Sequence, residues 1–287
     1  MAGLAGIQRE GWSAQYMLGG GEMQHQWDAQ GFLASSAEAL AATLLEQHRT
    51  HFERAAELNH DCHELLFRCK PRNRDGQQVV VCALFMRVLE HFQATVILLR
   101  RGLVSPAVVM ARACLEGVFA ARAIALAPDA LRRFILADQM ERLALANKAE
   151  QYAYPNLEDL RQEVARGLQA EIKSEIEADE ARRFSTKEMS QIAGMHDWYV
   201  TIYSLWSKTA HSRVRDLEQY LNLDENGEIR SLKYGPGLDG VPLLLLTAMH
   251  ALLLGADALG RLFDCDCPAS FPGHEQYLRE HLEPPAA

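Results

Sequence analysis

From Ser35 to about Arg68 the apolar positions Leu40, Leu44, Phe52, Ala55, Leu58, Cys62 and Leu65 recur at helical spacing. An apolar face repeating every three to four residues buries against a core. Ser35-Ser36-Ala37-Glu38 offers this helix an N-cap, and Pro71 and Gly76 break it. A second helix is predicted from about Gln78 to Arg101, stopping at Gly102 with two arginines in its last turn. A third starts near Ser105-Pro106, where proline is tolerated, and runs to about Leu126. Pro128 opens a fourth, which reaches about Tyr152 before Tyr154-Pro155.

Beyond that point the pattern changes. Leu157 to Arg183 is charged on most faces and reads as a solvent-exposed helix or helical arm. Thr186-Lys187-Glu188-Met189 begins a short helix, and Met195 to about Arg215 forms another. Asn222-Leu223-Asp224-Glu225-Asn226-Gly227 is turn chemistry, allowing a small β-hairpin near residues 220–234. Val241 to Leu254, with four consecutive leucines, reads as the central core helix, and a short amphipathic piece spans His274–Leu282. Residues 1–31, with Gly19-Gly20-Gly21 and no sustained period, read as a loosely held extension that Trp12, Trp27 and Phe32 could dock. The expectation is an all-α fold, a single helical bundle over residues 32–287.

The Val241–Leu254 run is the segment closest to a membrane span. It is short, carries His250, and is followed by Gly255, Asp257 and Gly260, which favours a buried core helix over a span. No apolar N-terminal run ends in a cleavage site, so the chain reads as cytoplasmic, with reduced thiols and no membrane partner. With 287 residues and 48% apolar content the chain can bury a sizeable core, and a formal charge of −9 argues against a surface that grips nucleic acid everywhere. A local patch is still allowed. Arg68-Cys69-Lys70-Pro71-Arg72-Asn73-Arg74 carries four cations in seven residues. It is a solvated loop by default, and the best local footprint for a phosphate-bearing partner such as RNA.

Several motifs reduce to simpler readings. Gly235-Pro236-Gly237-Leu238-Asp239-Gly240 matches G-x-G-x-x-G, but Pro236 removes a backbone donor and no βαβ unit surrounds it. His48/His51 and His60/His63 each sit one turn apart, but the two pairs are twelve residues apart, which turns them roughly 120° from one another. They read as surface histidines. Cys265-Asp266-Cys267 lacks a second pair to complete a zinc site. No metal and no cofactor is expected.

Two helical segments carry the candidate chemistry. In Ala111-Arg112-Ala113-Cys114-Leu115-Glu116, Arg112 pairs with Glu116 at i,i+4. In Tyr203-Ser204-Leu205-Trp206-Ser207-Lys208-Thr209-Ala210-His211, Ser207 pairs with His211. Helical side chains lean toward the N-terminus, which brings His211 to Ser207 and takes Tyr203 away from His211. Arg215, leaning back, could lower the pKa of His211 or hold an anion beside it. If the segments pack together, Arg112, Glu116, Ser207 and His211 share one pocket, with Arg101, Tyr203 and Arg215 as substrate-binding candidates. The same groups could equally be a structural ion pair and a satisfied core histidine.

At Arg101-Gly102-Leu103, Arg112-Ala113-Cys114-Leu115-Glu116 and Tyr203-x-x-x-Ser207-x-x-x-His211 the chain resembles the DUF5677 family of uncharacterised bacterial helical proteins, over about residues 80 to 250. That resemblance implies a shared helical fold and brings no family activity with it. More loosely, it is similar to HEPN-type ribonucleases, helical bundles of toxin and phage-defence systems with an Arg-x(4–6)-His motif at a dimer interface. That likeness implies metal-independent RNA cleavage by a homodimer, with His211 moving protons and Arg112 stabilising phosphorane charge. The chain departs from the motif, because Ser204, Leu205 and Trp206 stand before His211. The competing expectation is a non-catalytic homodimeric interaction module.

Overall fold

The first predicted helix is two. In a computed structural model, α1 (Ser36–Gln47) and α2 (Arg49–Arg68) meet at His48, whose φ of −119° and ψ of 26° leave the helical region. The structure describes residues 30–151, 184–210, 217–226, 229–232, 234–237 and 240–282, with isolated positions between 158 and 174. All but the last two residues of the predicted N-terminal extension, and most of the charged 157–183 arm, lie outside the described residues. Helices α3 (Gly76–Arg100), α4 (Val104–Leu126) and α5 (Pro128–Gln151) follow. After them come α6 (Thr186–Ile192), α7 (His196–Trp198), a π-helical segment (Tyr199–Tyr203) and α8 (Ser204–Ala210). Finally, α9 (Val241–Phe263) and α10 (Phe271–Leu282) close the described chain.

Among the described residues the fold is all-α apart from the hairpin that the turn chemistry allowed. Its strands β1 (Leu221–Leu223) and β2 (Ile229–Leu232) pair antiparallel, Leu221 opposite Leu232. Local chemistry fixes several helix ends. Asp75 caps α3 by accepting from the Gln78 N–H at 3.1 Å. Gly102, at φ +71°, ends α3 as predicted: its N–H reaches Leu99 and that of Leu103 reaches Leu98, the double bond of a Schellman motif. A Cβ there would lie 2.6 Å from Pro236 Cβ, so close approach also demands glycine. Ser185 and Glu188 form a reciprocal capping box at the start of α6.

The main core is one contiguous cluster, and Ala37, Leu40 and Leu44 of α1 form a smaller one against Phe32. Phe85, Val88 and Phe92 of α3 meet Cys114, Leu115, Val118 and Phe119 of α4, and Leu245, Met249 and Leu252 of α9 fill the space between. Helix α9 is much longer than its apolar run predicted. The residues that read as a stop are absorbed by packing: Gly255 lets Val118 and Phe85 approach a would-be Cβ to 3.3 and 3.4 Å, and Asp257 is paired with Arg122 and Arg261. Shortness therefore does not argue against a membrane span. Among the described residues α3, α4 and α9 are each long and apolar enough to cross a membrane by length and composition. In the fold, 78% of the most apolar stretch of α9 is buried, against 39% and 44% for α3 and α4.

Candidate functional site

Arg112 and Glu116 stand one turn apart on α4, on the side that receives the 196–210 arm. The arm is delivered by the π segment. The Ser204 N–H reaches back to the Tyr199 carbonyl, and the Ser204 hydroxyl donates to the same carbonyl at 2.8 Å. This widened turn stacks the Tyr199 and Tyr203 rings at 5.1 Å and lays Tyr203 across Arg112, whose Cζ is 4.8 Å from the ring centroid.

The polar atoms then close a compact cluster. Arg112 Nη2 donates to Glu116 Oε1 at 2.8 Å and to the Tyr203 hydroxyl at 2.6 Å, and that hydroxyl donates to the same Oε1 at 2.6 Å. Arg112 Nε donates to Ser207 Oγ at 3.0 Å. The side chains of Arg112 and Glu116 are 19% and 35% exposed, so the cluster is half-buried. Arg112 Nη1 and Glu116 Oε2 have no hydrogen-bond partner among the described residues. Burial, followed by the Glu116 carboxylate, pushes the Tyr203 phenol upward against the opposing pull of Arg112. Tyr203 is accordingly a neutral donor. The Ser207 hydroxyl donates to the Tyr203 carbonyl at 2.7 Å, so its proton faces a weak acceptor and not a base. Among the described residues Ser207 serves as a ligand of Arg112.

The structure thus brings together Arg112, Glu116, Tyr203 and Ser207 from two distant stretches of sequence. Arg101 stands apart. It lies at the α3–α4 turn, before α4 rises about 12 Å from Val104 to Arg112, and donates to Glu38 of α1 at 2.6 Å. His211 and Arg215 lie outside the described residues, and so does the Ser207–His211 pairing.

Two histidines near this region had no sequence signal beyond helical spacing. His91 of α3 has a buried Nδ1 without a hydrogen-bond partner among the described residues. Burial and then Arg87 lower its pKa, against a backbone hydrogen bond at Ala113 and the carboxylates Glu90 and Glu116. His196, also with a buried unpartnered Nδ1, stacks on Tyr199 at 6.2 Å and so heads the aromatic column that ends on Arg112.

The family comparison falls on this part of the molecule. The family described as "Family of unknown function (DUF5677)" matches residues 78–229, just over half of the 287-residue chain. The chain belongs to the DUF5677 family. The match takes in α3 through α8, so the cluster that joins α4 to α8 lies wholly inside the DUF5677 region. No curated protein and no solved structure matches the chain.

Elsewhere, His60, Asp61 and Glu64 of α2 bring three donor atoms within 4.8 Å of one another, a grouping that could hold a metal ion. Asp61 Oδ2 already accepts from Ser270 at 2.5 Å and faces His274 Nε2 at 2.8 Å, so an ion would have to compete with both. The predicted basic loop is exposed: Lys70 and Arg74 stand in solvent, and Arg72 pairs with Asp75 at 2.9 Å.

Proposed function

We propose that this DUF5677 protein is a metal-independent ribonuclease of the HEPN-like helical kind, acting as a cytoplasmic homodimer in a toxin or phage-defence setting. The RNA 2′-hydroxyl would be the nucleophile and His211 the group that moves its proton. Arg112 would stabilise the phosphorane charge, with Glu116 holding it in place. The supporting observation is the state of Arg112: Glu116, Tyr203 and Ser207 fix its guanidinium while Nη1 carries no partner among the described residues. A cation aimed in advance needs no rearrangement as negative charge develops. In this reading the arginine is supplied by α4, in place of one at the Arg-x(4–6)-His spacing before His211. The exposed cations of the 68–74 loop supply a further footprint for RNA.

The test is cleavage of labelled single-stranded RNA by the full chain in the presence of a metal chelator. Arg112→Lys and His211→Ala are each expected to lower the rate by roughly 100-fold or more. Absence of any cleavage by the folded wild-type protein ends this reading.

A second reading rests on a different observation, the hydrogen bonds that Arg112, Glu116, Tyr203 and Ser207 make to one another. As a non-catalytic homodimeric interaction module, the protein would use the cluster only to set α8 on α4. His211→Ala would then cost about 1–3 kcal/mol of stability and no activity. In the ribonuclease it removes activity and leaves the melting temperature nearly unchanged.

A further inference from the structure

Helix α2 carries a second polar group, separate from the Arg112 cluster. His60, Asp61 and Glu64 each bring a donor atom to within 4.8 Å of the others. His60 Nε2 stands 3.4 Å from Glu64 Oε1 across one helical turn. Two donors held about 2.0–2.1 Å from a four-coordinate zinc ion lie about 3.3 Å apart, so this pair is already spaced as two ligands of one ion. Two carboxylates repel one another here, and among the described residues no lysine or arginine pairs with either of them.

A buried histidine closes the inner side of the group. His274 of α10 is 2% exposed and aimed into it: Nε2 is 2.8 Å from Asp61 Oδ2, and the buried Nδ1 has no hydrogen-bond partner among the described residues. The neutral ring therefore carries its proton on Nε2 and donates to Asp61, and the Ser270 hydroxyl donates to the same oxygen at 2.5 Å. Two neutral donors orient the carboxylate without cancelling its charge. They occupy Oδ2 alone. Oδ1 has no hydrogen-bond partner among the described residues, so it can take an ion while Oδ2 keeps both bonds.

We propose that His60, Asp61 and Glu64 bind a divalent transition ion of the zinc class, with Ser270 and His274 as positioning residues for Asp61. One imidazole and two carboxylates suit such an ion, its double charge offsets theirs, and the ligating carboxylate is itself fixed by hydrogen bonds. Bound metal would tie α2 to the start of α10 through Asp61 and so strengthen the docking of α10. The site precedes residues 78–229, outside the family match, and shares no residue with the Arg112 cluster. Metal binding here and metal-independent chemistry there are separate properties.

The experiment titrates the full metal-free chain with zinc against a chromogenic chelator, and records its melting temperature with and without the ion. A single equivalent should bind and raise the melting temperature. His60→Ala and Glu64→Gln, both at exposed positions, should each weaken binding by at least about 10-fold and abolish that rise. Asp61→Asn, which keeps an oxygen for Ser270 and His274, should do the same. Ser270→Ala should weaken binding by roughly 10-fold with an unchanged circular dichroism spectrum, and Ser270→Thr should restore it. His281→Ala opens the separate group of His48, His51 and His281 and should bind zinc as wild type does. Wild type that takes no zinc from the chelator would overturn the site. Binding that survives the His60→Ala, Glu64→Gln double variant, or that is lost in His281→Ala, would also overturn it, as an adventitious ion only.

Discussion

The guanidinium of Arg112 is held from both helices it joins. Glu116 belongs to its own helix, whereas Tyr203 and Ser207 arrive from the arm, so three hydrogen bonds and a cation–π contact converge on one side chain. Removing the centre of such a network leaves its partners unpaired and partly buried. Arg112→Lys should therefore lower stability by about 1–3 kcal/mol, since an ammonium cannot reproduce the planar fork. Tyr203→Phe removes only the hydroxyl and should cost about 0.5–1.5 kcal/mol. Urea denaturation of both single variants and the double variant measures the coupling between them. Strictly additive losses would mean that the phenol and guanidinium are neighbours without being partners. The pairing of Arg112 with Glu116 was legible in sequence because i,i+4 spacing on a helix fixes it. The contribution of Tyr203 was not: it depends on the π turn, which rotates the ring relative to a regular helix and leaves no residue signature. His91 was hidden for a related reason, since a single imidazole on an apolar helix face looks like any other core position.

At the scale of elements, α3 and α4 form the most extensive helix pair, and one glycine sets how closely they pack. Gly117 of α4 faces Val88 of α3, and a Cβ at position 117 would lie 2.8 Å from Val88 Cγ2. Gly117→Ala should destabilise the protein by about 1–3 kcal/mol through overpacking, despite the better helix propensity of alanine. Gly117→Ala combined with Val88→Ala should recover part of that loss, because the colliding methyl is gone. Chemical denaturation checks both, and a stabilised Gly117→Ala would show that the interface yields at no cost. Periodicity predicted the ends of these two helices to within about two residues, and Gly102, Pro106 and Pro128 marked them by local backbone chemistry. It failed where long-range packing overrides local signals. Gly255, Asp257 and Gly260 read as a terminus, yet Val118, Arg122 and Cys267 occupy the space they provide, and α9 continues to Phe263. The kink at His48 failed in the opposite direction, because an apolar face that runs on across a break shows no interruption in its period.

At the scale of the whole molecule, three partly buried histidines should make stability fall as the solution turns acid. His250 is half-buried on α9, with the Trp198 ring edge-on at 4.9 Å, and burial lowers its pKa despite Glu275. His91 is lowered by burial and Arg87. His51, bonded to the Tyr277 hydroxyl at 2.6 Å, is lowered by burial and by the neighbouring His281 and His48. Each group binds its proton more weakly in the folded chain than in the unfolded one, so the unfolded state takes up protons first as pH falls. Stability from these groups is complete above the ordinary histidine value near 6.5 and is lost as pH falls from there through the folded values. The slope approaches about 1.4 kcal/mol per pH unit for each proton taken up on unfolding. Asp257, held below the ordinary carboxylate range by Arg261 and Arg122 against the cost of its burial, adds a second loss only in more acid solution. Urea midpoints should therefore begin to fall between pH 6.5 and 5, before ordinary carboxylates titrate, and His250→Phe should flatten that part of the curve. A midpoint constant from pH 7 to pH 5 would mean that these imidazoles accept protons in the folded state as readily as in water. The surroundings argue otherwise, since the His91 Nδ1 is buried and an N–H there would have no hydrogen-bond acceptor among the described residues.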